Sequence, residues 1–467
     1  MEYTKRINGP LCRPSTYLLT AALMMALSFR MAGAATLVNP WADFLTMPAG
    51  TRSMHDLTAF TDPADGDVKL VIALGWEQGA PILFWDPLTQ LLTTAFTAPL
   101  NSYPVEPFWR SLTTFNGKLY AGLGTQEDSP PPGPSGTGQV WQYDGAAWTL
   151  VLNTTLDNTY TLGVYNNQLY AGVGTFGSQA GQLWVSPDGV TWTMLKQFSS
   201  SFVRALAVFQ NQLYIGLRDK ADLWKYDGTT FTDIGAPPGL NDQVKTLLPS
   251  PDGSLLYVGG VPAFIYTWNG ATYTLSLDAR ASDSEIYKGT VLGGDVLFPT
   301  HAKANGGQSG NIYRLDNGTW TLDYSTSPGL AQLQIICPFQ HYLYAGGDGL
   351  PPILLQALYN SGPQIAVKPA NVITFPNTAI GSTSTAILVV KNTGTGQLTG
   401  IVNNPPAPFG LSGSGSFQLA SNAQTTITLT FTPTSTKLSS KMATIVSNSA
   451  QHSTLILTQQ ATGTAAP

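Results

Sequence analysis

Polar side chains stand at a fixed distance before a phrase that recurs along the sequence, Leu-Tyr-Ala-Gly or a close variant of it. Counting ten positions back from the tyrosine gives four residues, and allowing gaps in three weaker copies gives three more. These seven ring residues are His55, Arg110, Tyr160, Arg204, Lys245, Tyr287 (with Lys288 beside it) and Gln334. Three or four of them can be cationic, although the whole chain has a net charge of −5 at pH 7.

Cations grouped within an acidic chain predict a site that attracts anions, and concave polar sites are generally binding sites. The ring residues therefore predict a site for an anion or an acidic sugar. A second interpretation stays open, because Arg and Lys side chains at strand starts also reach into solvent without any ligand. Polar residues of neighbouring loops form a second set. Ordinary surface loops, which tolerate insertions of polar residues, would explain this set equally well. This set comprises Glu77, Gln78, Gln126, Glu127, Asp128, Arg218, Asp219, Lys220, His301, Lys303 and Asp348.

The same residue types are the ingredients of two reactions on sugars. A tyrosine or histidine base, such as Tyr160, Tyr287 or His55, can remove a proton beside a uronate carboxylate that arginines clamp. Glycoside hydrolysis instead requires two carboxylates at a defined separation. The chain has only four histidines and few acidic pairs, so we assign no catalytic residue. We also find no histidine pair at ligand spacing, no calcium-type loop and no phosphate loop, and expect neither a metal nor a cofactor.

The elements that would position these residues are the strands of a repeated unit of about 40 to 50 residues. Its first phrase, such as FNGKLYAGLGT from Phe115, gives a strand, a tight turn and a second strand. Its second phrase, such as VWQYDGAAW from Val140, gives a third strand, an Asp-Gly turn and a fourth strand that opens with an aromatic residue. Four antiparallel strands per unit are typical of a β-propeller blade.

Counting the copies predicts an all-β fold that begins with a seven-bladed propeller over residues 35–358, with six or eight blades as open alternatives. The last unit has three strands, and residues 36–46 are expected to supply the fourth and close the ring. The first strand of each blade lines a propeller's channel, so the ring residues are expected at one channel mouth. This region resembles galactose-oxidase-like and sialidase-like propellers in architecture alone. The motif SPDGVTW from Ser186 is similar to the sialidase Asp box, a turn device, but lacks one spacer residue.

A different pattern begins after a short linker at residues 359–363. Residues 364–467 alternate apolar and polar positions over about seven short strands, the pattern of a β-sandwich. The segments ITFPNTAIGSTSTAILVVKNTGTGQLT, ITLTFTPT and SNSAQHSTLILTQQATGT closely resemble the choice-of-anchor D and abnormal-spindle/Hydin-type immunoglobulin-like domains of bacterial exported proteins. The resemblance implies a spacer, stalk or protein-contact module without chemistry of its own.

The first 34 residues differ from the rest, with basic residues before an apolar run and Ala32-Gly33-Ala34 after it. This arrangement is typical of a secretory signal peptide, so we expect a secreted or periplasmic protein without membrane insertion after cleavage. Cleavage would remove Cys12 and leave Cys337 as a buried, unreactive thiol. The negative net charge argues against nucleic acid as a partner, and we expect a monomer.

Three functions remain, in this order of preference. The first is non-catalytic recognition of an extracellular glycan or acidic polymer at the channel mouth, with the sandwich as spacer or contact module. The second is a structural envelope or matrix protein that binds other proteins, which exposed aromatic residues on the outer blade edges would favour. The third is a polysaccharide lyase or glycoside hydrolase that uses the same propeller face.

Overall fold

The computed structural model describes most of the chain from residue 41 onward. The described residues are 41–75, 79–98, 107–125, 138–178, 180–292, 294–304, 309–316, 318–327, 332–340, 342–349, 351–358, 362–394, 396–449 and 454–465. The predicted signal peptide and most of the predicted linker lie outside these ranges. The fold is all-β, as predicted. Within the described ranges, no helix has the length and apolar character needed to cross a membrane.

Seven consecutive four-stranded antiparallel units make up the propeller, and the first four follow the chain in simple order. Blade 1 consists of β2 (Ser53–Thr61), β3 (Val68–Gly75), β4 (Pro81–Asp86) and β5 (Leu91–Thr97). Blade 2 consists of β6 (Pro107–Phe115), β7 (Lys118–Thr125), β8 (Gln139–Tyr143) and β9 (Trp148–Asn153). Blade 3 consists of β10 (Asn158–Tyr165), β11 (Gln168–Gly174), β12 (Gln182–Ser186) and β13 (Thr193–Gln197). Blade 4 consists of β14 (Val203–Phe209), β15 (Gln212–Leu217), β16 (Leu223–Tyr226) and β17 (Phe231–Gly235).

The last three blades include one with a divided inner strand and one that joins the two ends of the domain. Blade 5 consists of β18 (Gln243–Pro249), β19 (Leu256–Val261), β20 (Phe264–Trp268) and β21 (Tyr273–Asp278). Blade 6 has an inner strand divided into β22 (Asp283–Ile286) and β23 (Thr290–Leu292), followed by β24 (Asp295–Ala302), β25 (Asn311–Asp316) and β26 (Thr319–Ser325). Blade 7 consists of β27 (Leu333–Phe339), β28 (Tyr342–Gly347), β29 (Ile353–Leu358) and, as its outer strand, β1 (Ala42–Thr46).

The ring closes as the sequence predicted, because β1 pairs with β29 and so completes the last blade. Each inner strand contacts the next blade, and β2 of blade 1 contacts β27 of blade 7. The hairpins between first and second strands turn through residues with positive φ, such as Asn116 at 48° and Asn166 at 47°. Asparagine tolerates this conformation better than most residues, which explains its recurrence in the repeated phrase.

Two further sheets follow the propeller and share one hydrophobic core. The first sheet is formed by β30 (Ile365–Lys368), β33 (Ser384–Asn392), β37 (Gln424–Phe431) and β35 (Phe409–Ser412). The second is formed by β31 (Val372–Thr374), β39 (Thr454–Thr464), β38 (Leu438–Ser447), β34 (Leu398–Val402) and β36 (Ser416–Leu419), with β32 (Thr378–Ala379) beside β39. Residues of both sheets, including Leu388, Leu429 and Ile445, meet in one buried cluster. The layers are therefore those of a β-sandwich.

Two lysines of the sandwich reach into blade 1. The Lys368 ammonium lies 2.5 Å from Asp67 and 3.2 Å from Asp86. The Lys391 ammonium donates to the carbonyl of Pro87 at 3.1 Å. Burial raises the pKa of Asp67 despite the neighbouring lysine, and burial lowers the pKa of Lys391. The propeller and the sandwich are thus joined by buried polar contacts, which we call the joint.

Candidate functional site

The first, innermost strand of every blade contains a β-bulge where it pairs with the second strand. The register of each inner pair shifts at a single bulged residue, which leaves the ladder and can be aimed differently from its neighbours. The bulged residues are His55, Arg110, Tyr160, Arg204, Lys245, Ser284 and Gln334 in blades 1 to 7. Six of the seven ring residues therefore occupy equivalent positions of the fold.

The sixth blade requires a correction. Its bulged residue is Ser284, whereas the sequence alignment placed Tyr287 at the ring position. Tyr287 lies three residues further on, between β22 and β23, where the inner strand of this blade is interrupted. The alignment failed here because the interruption changes the spacing between the inner strand and the repeated phrase. Tyr287 nevertheless reaches the same cavity as the other ring residues.

One cavity of about 510 Å³ collects all seven ring residues at the centre of the propeller. Its wall contains the cations Arg52, Arg110, Arg204, Arg218, Lys245 and Lys288, and the carboxylates of Asp56, Asp242, Glu285 and Asp348. Four of the six arginines found from residue 41 onward are in this wall, as are two of the four histidines, His55 and His301. The acidic chain thus concentrates its guanidinium groups in one place, which favours anions there.

Aromatic rings support three of these guanidinium groups, and that of Arg218 lies 4.8 Å from the ring centre of Phe176. The Arg204 guanidinium lies 4.2 Å from the ring centre of Tyr160, and that of Arg110 lies 5.1 Å from the same centre. Arg110 also lies 4.6 Å from the ring centre of Phe108. Because Tyr160 belongs to the blade between those of Arg110 and Arg204, it separates them around the channel. Cation–π contacts of this kind restrict side-chain motion and hold the charges in place before any ligand arrives.

A hydrogen-bonded group links blades 1, 2 and 7 at the channel wall. Nε2 of His55 lies 2.9 Å from the Ser53 hydroxyl and 3.3 Å from Nη1 of Arg110. The carboxylate of Asp348 accepts from the Ser53 hydroxyl and, at 3.0 Å, from the Gln334 amide. Burial raises the pKa of Asp348, and nearby Arg110, His301 and Arg52 only partly offset that effect.

A second group links blades 5 and 6. The Lys245 ammonium donates to the Glu285 carboxylate and, at 3.1 Å, to the Tyr287 hydroxyl. Burial alone would raise the pKa of Glu285, but the Lys245 charge lowers it overall. Burial and the Glu285 charge raise the pKa of Tyr287 well above its usual value. Tyr287 is therefore protonated at neutral pH and suited to donating a hydrogen bond, which argues against it as a general base.

A third group of contacts links blades 1, 2 and 6. The Lys288 ammonium lies 2.7 and 2.8 Å from the two oxygens of Asp56, whose side chain is only 1% exposed. Asp56 also accepts from the backbone amide of Leu112 at 2.8 Å, so one carboxylate ties three blades together. Burial and the Asp56 charge raise the pKa of the nearby Cys337 thiol to about 12. The thiol is thus protonated at neutral pH, although Cys337 is half-buried rather than buried as the sequence predicted.

The second predicted set is only partly assembled at the cavity. Arg218, His301 and Asp348 line it. Asp219 does not; it accepts from the backbone amide and hydroxyl of Ser201 at 2.7 and 2.8 Å. Lys220 and Lys303 are exposed and outside the lining, and Lys303 donates to the carbonyl of Arg280 at 2.5 Å. Glu77, Gln78, Gln126, Glu127 and Asp128 lie outside the described residues.

The sequence analysis missed several residues of the cavity wall. They occupy fixed positions relative to the bulged residue, so the same repeat contains a signal for them. The residues two positions before the bulge, including Ser53, Phe108 and Gln243, also line the cavity. So do residues directly after it, including Asp56 and Glu285. Glu285 was hidden because the displaced alignment of blade 6 centred on Tyr287. Arg52 precedes its strand by one residue and has no counterpart of the same type in the other blades.

The Asp-box-like motif of blade 3 acts as a turn. The Asp188 carboxylate accepts from the backbone amides of Val190 and Thr191 at 2.8 and 2.7 Å. These bonds lower the pKa of Asp188. All the partners belong to the turn itself, so the motif organises the hairpin of β12 and β13 and contributes nothing to the cavity.

Comparisons with known proteins find distant structural likenesses alone. No protein-family model and no curated protein matches the chain. Among solved structures, a chain of the structure titled "Crystal Structure of Mitotic Checkpoint Complex" is 16% identical, with a TM-score of 0.47, covering 68% of this chain and 99% of that one. The ASH / PapD-like domain 7 of human CEP192 is 21% identical, with a TM-score of 0.20, covering 22% of this chain and 87% of that domain. Neither likeness bears on the site.

Proposed function

We propose that this is an exported recognition protein whose propeller binds an acidic extracellular glycan at the channel mouth without turning it over. The observation that carries the proposal is the gathering of four arginines in one cavity wall of an otherwise acidic chain. Arginine forks match carboxylate and sulfate groups and form the stronger class of hydrogen bonds. The cavity of about 510 Å³ falls in the range of small-ligand sites.

Contacts with aromatic rings and hydrogen bonds hold the cavity cations in place. This favours a binding site over the alternative that these side chains simply extend from the strands into solvent. Arg110 and Arg204 are half-buried and both contact the ring of Tyr160, so their charges are held at the cavity wall rather than extended into solvent. The resemblance of residues 364–464 to choice-of-anchor D domains supports the export part of the proposal and a spacer or contact role for the sandwich. The secreted or periplasmic location rests on residues 1–34.

The structural alternative has less support from the outer blade edges. The aromatic residues that open the outer strands, such as Trp148, Trp192 and Trp320, are half-buried rather than exposed in the described blades. Trp148 stacks on Phe96 of the preceding blade with ring centres 4.8 Å apart, so it serves the contact between blades. These aromatic residues therefore do not mark a surface for another protein.

A hydrolytic alternative is favoured by one observation. Two carboxylates of the same cavity have pKa values displaced in opposite directions, with that of Asp348 raised and that of Glu285 lowered. Such a division is typical of a general acid and its anionic partner in glycoside hydrolysis. Glu285 is held by Lys245 and Tyr287, and Asp348 by Ser53 and Gln334, which makes structural roles the simpler interpretation.

The deciding experiment compares two arginine substitutions on an array of acidic and neutral glycans. Arg204→Gln removes a cavity charge, whereas the control Arg280→Gln removes the same charge from an exposed arginine that pairs with Asp278 outside the cavity. We expect Arg204→Gln to weaken binding of acidic glycans about tenfold or more and to reduce its salt dependence. Lys245 is a poorer target because its removal would leave Glu285 without its cation.

Two outcomes would contradict the proposal. Equal losses for Arg204→Gln and Arg280→Gln would show a general charge effect, and the absence of any bound acidic glycan would remove the ligand class. Products released from a bound glycan, lost on Asp348→Asn, would establish the hydrolytic alternative instead.

A further inference from the structure

The outer face of the second sandwich sheet is apolar, exposed and free of charged side chains. On β38 and β39, Leu438, Met442, Val446 and Ile456 are 66%, 65%, 42% and 61% exposed. On the flanking strands, Val372 and Ile401 are each 41% exposed. These six account for a third of the large hydrophobic side chains that are exposed in the described chain. We call this surface the aliphatic face.

The strand register brings these side chains onto one continuous surface. Val446 of β38 pairs with Ile401 of β34, and Met442 pairs with Thr458 of β39, which in turn pairs with Val372 of β31. Ile456 pairs with Thr444, which lies between Met442 and Val446 on the outward side of β38. The alternating neighbours Ala443 and Ile445 point into the core, where they are 0% and 1% exposed. The aliphatic side chains thus form a diagonal band across four strands.

The remaining side chains of this face are polar and uncharged. The outward positions between the aliphatic residues are occupied by Thr399, Ser440, Thr444, Thr454, Thr458 and Gln460. Monomeric proteins rarely expose a contiguous apolar band of this kind, and such bands usually mark protein contacts. A charged partner would find no counter-charge here, and a sugar would find no aromatic ring to stack on. The chemistry of the face therefore fits another aliphatic protein surface.

We propose that two copies of this chain associate through their aliphatic faces. A face without charges lets two chains of net charge −5 meet without direct repulsion between facing side chains. A two-fold pair needs only one self-complementary patch, and the sheet provides it. The strand lengths and spacings of β31, β39, β38 and β34 give a face of about 470 Å² per copy, so a pair would bury roughly 950 Å², the size of a weak and reversible association. The resulting dimer replaces the monomer expected from the sequence.

The dimer does not depend on what the channel binds, but it would change how strongly the protein holds a polymeric ligand. Each copy would bring its own channel, so a long glycan could engage two sites at once and gain avidity. Arg204→Gln affects the channel, whereas substitutions on the aliphatic face affect mass alone. Failure of either proposal is therefore visible without reference to the other.

The test is sedimentation equilibrium of the full protein at concentrations from about 1 to 100 µM, a range that detects dimers of modest affinity. The double variant Met442→Lys/Ile456→Lys places two charges in the face, and the control Leu275→Lys/Leu322→Lys places two charges at positions 50% and 55% exposed on outer strands of blades 5 and 6. We expect wild type and control to be dimers, and the face variant to dissociate at least about 100-fold more easily.

Thermal unfolding of all three proteins at equal concentration separates dissociation from misfolding, because the four changed side chains are all exposed. A wild-type protein that stays monomeric at 100 µM would overturn the proposal. So would a face variant that remains as dimeric as the control. If the face variant loses its folded spectrum, Thr444→Arg, at a half-buried position between Met442 and Val446, repeats the test with a single charge.

Discussion

At the residue scale, the cavity combines fixed cations with carboxylates whose charge depends on their neighbours. Asp348 is the clearest case, because burial raises its pKa while its hydrogen bonds from Ser53 and Gln334 hold it in place. A carboxyl with a raised pKa in the folded protein takes up its proton at a higher pH than in the unfolded chain. Its ionised form therefore weakens folding at neutral pH, and this penalty disappears as the pH falls through the raised pKa.

Asp348→Asn is expected to raise the midpoint of thermal unfolding at pH 7, because the amide oxygen can still accept both hydrogen bonds without a buried charge. The gain should vanish near pH 4. The same change should raise the affinity for an acidic glycan at pH 7. It should also reduce the rise in that affinity between pH 7 and pH 5, which distinguishes the effect of Asp348 from that of other groups in the wall. Calorimetry and binding titrations over this pH range measure both effects.

Asp227→Asn provides the opposite control. Asp227 accepts from the backbone amides of Thr229 and Thr230, and these bonds lower its pKa. Its charge therefore contributes stability above the unfolded pKa, and removing the charge should lower the unfolding midpoint at pH 7. If Asp348→Asn also lowers it, the raised pKa of Asp348 is refuted.

At the element scale, glycines of the repeated phrase permit the close approach of neighbouring blades. At Gly174, the end of β11, an added Cβ would lie 2.0 Å from the carbonyl oxygen of Ser201 and 2.6 Å from the ring of Phe202, both at the start of blade 4. At Gly346, it would lie 2.1 Å from the sulfur of Met54 in blade 1. These glycines of the repeated phrase are therefore packing positions.

Gly174→Ala is expected to destabilise the protein by about 2 to 3 kcal/mol, since the obstructing atom belongs to the backbone and cannot rotate away. Gly163→Ala is the matched control, because its nearest atoms, from Leu206, lie at an ordinary 3.4 and 3.5 Å. The control should change the free energy of unfolding by less than about 1 kcal/mol. Urea unfolding of both variants measures the difference, and equal losses would contradict the packing argument.

At the scale of the whole molecule, the joint makes the sandwich part of the propeller's stability. Lys368 neutralises Asp67, whose side chain is only 1% exposed, and removing the cation would leave a buried carboxylate alone. Lys391 instead donates to a neutral carbonyl, and burial lowers its pKa although the charge of Asp86 acts in the opposite direction. The two lysines of the joint therefore contribute to stability by different amounts.

Lys368→Met is expected to cost about 2 kcal/mol at pH 7, after allowance for a lysine side chain that is 34% exposed. The loss should shrink as the pH falls, because protonation of Asp67, whose pKa is already raised, removes the unpaired charge. Lys391→Met should cost less, since no carboxylate is left unpaired. Calorimetric scans at pH 5 and 7 test this order, and a larger loss for Lys391→Met would contradict it.

The sequence by itself predicted the repeated strands, favoured seven blades with six and eight left open, and picked out six of the seven residues that are bulged in the structure. These features follow from local spacing, because a strand, a tight turn and a second strand repeat with the same number of residues in most blades. Alternation of apolar and polar residues likewise predicted the sheets after residue 364, and the three-stranded last unit predicted that the start of the chain closes the ring.

Only the tertiary structure decided which charges meet. Lys245 pairs with Glu285, Ser53 with Asp348, and Lys368 with Asp67, across 40, 295 and 301 positions of sequence. No local pattern encodes such pairs, because they depend on how blades and sheets pack after folding. The interrupted strand of blade 6 moved the ring position from Tyr287 to Ser284 for the same reason. The spacing of residues along the sequence therefore determines where strands and turns form. The packing of blades and sheets determines which polar and charged side chains meet in the cavity and the joint.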